Sequence, residues 1–135
     1  MAGEHLQWRR TVRDNRLQDR RTMYADCLVA LRRAHEAMRL AAGEDYSDPQ
    51  ARAAKIRQAF QASGCDEARE RLVLTASVEV SQAVDASYHS LRQVRELASG
   101  CTLTSDEYHL ARQAHEDATR AARTVFRQDL ATLES

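Results

Sequence analysis

Apolar residues recur at helical spacing through almost the whole chain, and this pattern constrains the fold more than any other feature. Only one proline and four glycines occur among the 135 residues, so few positions force the backbone out of a helix. Aromatic residues, which strands favour, make up only 5% of the chain. The pattern predicts an all-α protein. We expect an antiparallel four-helix bundle with short loops and an overlong N-terminal helix.

Capping residues and helix breakers divide this pattern into segments. The first helix is expected from about residue 4 to residue 42, because Gly43 follows as a typical C-terminal stop. Asp48 and Pro49 are typical of a helix start, where an Asp caps the first turn and Pro fits the first helical position. The pair Ser63–Gly64 then predicts a break.

The stretch between residues 66 and 99 supports two interpretations. Its apolar residues share one face without interruption, which favours a single helix. Against this, β-branched residues are frequent between 73 and 80, and Ser77 followed by Glu79 has the composition of a helix start. We favour a break at 75–77. The last helix is expected from the capping box at 104–107 to about residue 132.

Three segments carry a resemblance to known proteins. They are Trp8-Arg9-Arg10 with Arg13-Asp14, Arg16 and Arg20-Arg21 leading into Tyr24 and Leu28; Ala76-Ser77-Val78-Glu79-Val80; and Phe126-Arg127-Gln128-Asp129-Leu130. Together they resemble a group of small, Arg- and Ala-rich helical proteins of actinobacteria. In that group a Ser-Pro-Glu-Val turn opens the third helix, and Val78 stands here where the Pro would be. The resemblance implies an all-helical fold with a helix start near residue 77. It implies no activity, because the group has none assigned.

The overall charge favours neither nucleic acid nor anionic lipid as a partner, because 20 basic residues balance 20 acidic ones. All the basic residues except Lys55 are Arg, a bias that indicates a bacterial gene of high GC content. The charges are unevenly placed, however. Six of the arginines lie within residues 1–21, so a basic segment precedes the rest of the chain.

Cysteine usage and the N-terminus favour a cytoplasmic protein. Cys27, Cys65 and Cys101 are far apart and form no Cys-x-x-Cys motif, which suits reduced thiols that act as small apolar fillers. The first residues lack the apolar core of a signal peptide, and no stretch is apolar enough to predict a membrane span.

The first helix changes character near residue 23. Downstream, a regular core stripe is formed by Tyr24, Leu28, Leu31, His35, Met38 and Ala42. Upstream, the same face carries Arg9, Arg13, Arg16 and Arg20, which cannot be buried unpaired at tolerable cost. We therefore expect one domain over residues 1–135, with a projecting basic segment at 1–22 and a bundle at 23–135.

The projecting segment carries the functional hypothesis. It contains apolar residues with little core of their own to join, namely Leu6, Trp8, Val12 and Leu17. An exposed Trp beside Arg has the composition of an interface anchor. We expect a non-catalytic interaction or scaffold protein that forms a homodimer, or pairs with another helical protein, through this coiled-coil-like helix. The alternative is a nucleic-acid-associated accessory protein that uses the four arginines of the stripe, or simply a solvated terminus.

Catalytic and metal-binding chemistry are not indicated by any motif. His35 and His115 fall on or near core faces, and each is followed directly by a Glu. Adjacent residues of a helix point in different directions, whereas the Glu-x-x-His motif of di-iron bundles places both ligands on one face. Asp106 and His109 have that spacing, but Asp106 sits in the first turn, where it has a capping role. Cys65 near a helix start could have a lowered pKa, yet no His pairs with it in the sequence. We expect structural histidines, no cofactor and no enzymatic activity.

Overall fold

A computed structural model describes residues 2–100 and 104–134. They form five helices: α1 (Ala2–Ala42), α2 (Pro49–Ala62), α3 (Cys65–Thr75), α4 (Val78–Gly100) and α5 (Asp106–Glu134). No strand occurs within these two ranges, which confirms the all-α prediction. None of the five helices is long and apolar enough to cross a membrane.

The number of helices differs from the expected four because the turn at Ser63–Gly64 ends α2 completely. Gly64 has a φ of 79°, in the left-handed region where any side chain would be strained. The chain can therefore change direction there, and α3 begins at Cys65. The residue at the N-cap of α3 is Gly64, which has no side chain to cap the helix, and the Ser63 hydroxyl accepts from the backbone N–H of Cys65 at 3.3 Å.

The other helix starts follow local capping signals. The Asp48 carboxylate accepts a hydrogen bond from the backbone N–H of Ala51 at 2.8 Å, as expected for the start of α2. The predicted break at 75–77 is present, and the Ser77 hydroxyl accepts from the backbone N–H of Val80 at 3.4 Å. At α5 the capping side chain is Ser105, which accepts from the N–H of Tyr108 at 3.2 Å, one position later than the predicted capping box.

Two helices, α1 and α4, each contact all of the other four. The helices α2 and α3 follow one another against α1 and α4, while α5 packs mainly along α4. Within the described residues, α5 contacts only α4 and α1. The largest fully buried side chains are Tyr108, Phe60, Met38, Ile56, Leu72 and Leu91, so all five helices contribute to one core.

Tyr24 marks the point where α1 enters this core. It is 3% exposed, and no residue before it in the described part of α1 is buried to that degree. Its ring stacks on Phe126 of α5 with the ring centroids 4.3 Å apart, and its hydroxyl donates to the Asp129 carboxylate. The first buried turn of α1 is therefore fixed to α5 by both an apolar contact and a hydrogen bond.

Candidate functional site

The N-terminal part of α1 lies outside the core. Residues 3–11 are all exposed, whereas Val12 and Leu17 are half-buried. Leu6 is 57% exposed and Trp8 is 63% exposed. We call residues 3–19 the α1 extension. It presents large apolar side chains to solvent, and it is about 25 Å long at 1.5 Å per residue.

The apolar residues of the α1 extension lie on two faces. At roughly 100° per residue, Leu6 and Leu17 fall in line with Tyr24, on the face that becomes the core face. Trp8 and Val12 are one turn apart on a second face, about 150° away. The Trp8 ring stacks with His5, with 6.4 Å between the ring centroids. The extension therefore offers two narrow apolar strips, and one partner helix covers only one of them.

The four arginines of the predicted stripe have different surroundings. Arg9, Arg13 and Arg16 are exposed, but Arg20 is half-buried and donates to the backbone carbonyl of Thr75 at 3.2 Å. Thr75 is the last residue of α3, where the helix dipole favours a cation. The next residue, Arg21, pairs with Glu134 at 2.7 Å. Residues 20 and 21, expected in the projecting segment, thus contact the other helices.

A second feature lies within the core, where α1 and α5 bring His35 and His115 together. The ring centroids are 5.5 Å apart in an edge-to-face arrangement. Nδ1 of His115 lies 3.1 Å from the carbonyl oxygen of Ser87 and 3.0 Å from the hydroxyl of Ser90, both on α4. Because a carbonyl only accepts, Nδ1 of the neutral ring donates to Ser87. In contrast, Nε2 of His35 is buried without a hydrogen-bond partner among the described residues.

Burial lowers the pKa of both imidazoles. For His115 burial is the largest cause, the neighbouring His35 adds to it, and together they lower the pKa from 6.5 to about 4. For His35 burial again comes first, followed by the positive charge of Arg112. Both rings are therefore neutral at neutral pH, which is the form that can share a confined space without charge repulsion.

The two histidines form part of the wall of a cleft between α1 and α5. The cleft has a volume of about 340 Å³. Leu28 and Leu31 supply apolar surface from α1, and Thr119 lies across from them on α5. It is thus a partly apolar cleft with two imidazole groups in its lining.

Metal binding and thiol chemistry receive no support from the described residues. No group of three or more His, Cys, Asp or Glu side chains in ranges 2–100 and 104–134 is arranged to hold a metal ion. Cys65 is buried, and burial raises its pKa. The same holds for Cys27. At Cys65 the desolvation of the thiolate thus outweighs the helix end, and the start of α3 does not lower the pKa of this thiol. Cys101 lies outside the described residues.

Comparison of the chain with known protein families, with curated proteins and with solved structures finds no match.

The cleft was not apparent from the sequence. His35 and His115 lie in similar pentapeptides, Arg-Arg-Ala-His-Glu and Arg-Gln-Ala-His-Glu, and composition alone accounts for that similarity. The usable signal was their position, since both fall on or near the core faces of helices that the bundle brings side by side. Only the packing of α5 against α1 shows that the rings meet.

Proposed function

We propose that this protein is a non-catalytic interaction or scaffold protein that forms a homodimer through the α1 extension. The observation that carries this proposal is the exposure of Leu6 and Trp8, at 57% and 63%, on a helix that continues beyond its core. Trp is among the residues most enriched at the energetic centres of interfaces, and here it is exposed on a helix that extends beyond its core.

The partner we propose is a second copy, in an antiparallel arrangement centred near Val12. Two extensions that meet on their Trp8–Val12 faces then place Trp8 of each copy opposite Arg16 of the other. The same register places His5 opposite Asp19. A guanidinium over an indole ring is favourable, and a two-fold axis repeats each of these contacts. The charges of the extension thus complement a second copy of itself.

The strip formed by Leu6 and Leu17 also finds a partner in this arrangement. The two-fold axis runs perpendicular to the plane of the two paired helices. The faces of the two α1 helices that lead into their cores therefore point to the same side of that plane. Leu6 of one copy then lies level with residue 18 of the other, close to where Arg20 contacts Thr75. Leu74 and Val78, on either side of that turn, are 75% and 67% exposed. We propose that Leu6 packs against them.

The expected affinity is moderate. Burying a Trp, Leu or Val side chain contributes about 1.5–3 kcal/mol each, whereas association costs on the order of 4–15 kcal/mol in lost freedom of motion. Trp8, Val12 and Leu6 of the two copies supply four to six such side chains, or roughly 6–18 kcal/mol, and therefore leave a small surplus. We expect a dimer with a dissociation constant on the order of 10 µM rather than an obligate one.

The test is the light-scattering mass of the full chain at about 100 µM, a concentration at which a moderate dimer is populated. The parent should have the mass of a dimer, and the double variant Leu6→Ala, Trp8→Ala that of a monomer. Leu110→Ala is the matched control, because Leu110 is 70% exposed on α5 outside the proposed interface. A monomeric parent, or a double variant that associates as strongly as the parent, would contradict the proposal.

Nucleic-acid association is the second candidate, because Arg9, Arg13 and Arg16 are exposed and make no ion pair within the described residues. The hydrogen bond from Arg20 to Thr75 removes one cation from the stripe. For this reason we rank nucleic-acid association second. Binding of a short DNA duplex that weakens steeply with added salt, and is lost in Arg9→Gln, Arg13→Gln, would favour it.

We further propose that α2 and α3 together occupy one position in an antiparallel four-helix arrangement. The support for this is that both pack against the same two helices, α1 and α4. The short connection at 76–77 between α3 and α4 is typical of antiparallel neighbours.

A further inference from the structure

We infer that the cleft between α1 and α5 is a binding site for a small organic anion, a carboxylate with a short apolar body. The inference is independent of the proposed dimer, because the cleft lies beside His35 and His115 and not on the α1 extension. Its volume of about 340 Å³ falls at the small end of the range for ligand pockets.

The charge of the lining points to an anion. Arg32, Arg120 and Arg123 line the cleft together with a single acid, Glu116. Arg32 and Arg123 make no ion pair within the described residues, whereas Arg120 is paired with Asp117 outside the lining at 3.3 Å. Glu116 lies 3.8 Å from Arg112, also outside the lining. Two guanidinium groups at the mouth of the cleft are therefore available to a carboxylate, which they can bind with paired hydrogen bonds.

The lining of the cleft has an unused polar atom. Nε2 of His35 is buried and has no hydrogen-bond partner among the described residues. A buried polar atom without a partner is unfavourable, and natural structures contain few of them. Nε2 is closed off from solvent, so it can donate to an oxygen atom of a bound molecule only when the side chains that cover it move aside. His115 is already committed, since its Nδ1 is hydrogen-bonded to Ser87.

The remaining wall sets the character of the rest of the ligand. Leu28, Val29 and Leu31 face the cleft from α1, and an apolar surface of this kind favours a hydrocarbon body over a fully hydrated ion. A small aromatic or branched carboxylate meets the apolar wall and the guanidinium groups together. Inorganic phosphate meets only the charged part.

The experiment is a titration of the full-length protein with benzoate, followed by the imidazole resonances in an NMR spectrum. Resonances of His35 and His115 should shift saturably, while those of His89, which is exposed, should stay in place. The double variant Arg32→Gln, Arg123→Gln should bind at least about tenfold more weakly. Arg127→Gln is the matched control, because Arg127 is an exposed arginine on α5 that does not line the cleft.

Two probes separate the parts of the inference. Benzamide has the same ring without the charge, and phosphate has the charge without the ring, so both should bind more weakly than benzoate. A functional site should be saturated well below about 10 mM benzoate. If the His35 resonances show no saturable shift up to that concentration, the inference is overturned. Unchanged binding by the double arginine variant would do the same. Benzamide or phosphate binding as tightly as benzoate would overturn the assigned ligand class.

Discussion

The two halves of α1 have the same secondary structure and opposite environments. Between Tyr24 and Ala42 the helix buries one face against the other four helices, with Leu31 2% and Met38 1% exposed. In the α1 extension the equivalent face holds arginines, and Leu6 is more than half exposed. An isolated helix of that length is marginal in water, but extending an existing helix needs no new nucleus. In this protein, therefore, helix formation does not show which part of α1 packs into the core and which part is free to bind a partner. The residues on the core-facing stripe show it, because they are apolar in the former part and arginines in the latter.

A Leu→Ala substitution should reduce the free energy of unfolding far more in the buried half of α1 than in the α1 extension, and this is the largest effect we expect. Leu31→Ala removes a fully buried side chain, and we expect the free energy of unfolding to fall by about 2–5 kcal/mol. Leu6→Ala should change it by less than about 0.5 kcal/mol. Urea unfolding at about 1 µM protein, where a moderate dimer is dissociated, measures both. Equal losses would show that the extension packs against the core and would remove the basis of the comparison.

The buried half of α1 should also make stability depend on pH through the histidine pair. The folded-state pKa of His115 is lowered from 6.5 to about 4, so the unfolded chain takes up a proton first as the pH falls. This contribution is fully present above pH 6.5, is lost between pH 6.5 and about 4, and amounts to on the order of 3 kcal/mol.

Urea unfolding at pH 7, 6, 5 and 4 tests this dependence. His115→Gln should flatten the decline across that range, whereas Leu6→Ala in the exposed half should keep the slope of the parent. If the slope of His115→Gln matched that of the parent, the pair would not be the source of the pH dependence.

The smallest effect is expected at the boundary between the two halves. Tyr24→Phe keeps the stacking on Phe126 but removes the hydroxyl that donates to Asp129. We expect a loss of about 1.5–3 kcal/mol in the free energy of unfolding, as for other hydrogen bonds to a charged group. A double-mutant cycle with Asp129→Asn should show coupling of similar size. Additive effects would mean that this hydrogen bond does not fix the start of the core.

Local chemistry made most of the helix boundaries predictable. Asp48 and Ser77 cap helices where the sequence indicates, and α1 ends at Ala42 as Gly43 predicts. These features depend on residues a few positions apart, so short-range steric and hydrogen-bonding preferences are sufficient. The break at Ser63–Gly64 was also predictable from the sequence, but the change in direction of the chain at that point was not. Whether it bends a helix or divides it depends on the φ of 79° at Gly64, which the packing of α2 and α3 selects.

Only the tertiary structure decided which side chains meet across helices. The stripe of arginines is plain in the sequence, but the contact of Arg20 with Thr75 joins residues 55 positions apart. His35 and His115 meet across 80 positions through the packing of α5 on α1. The sequence by itself determined the all-helical class, the change along α1 near Tyr24 and most of the helix ends, because periodicity and capping act within a few residues. The cleft arises from the rotation of two helices about their axes, and that rotation is set by the shape of the whole core.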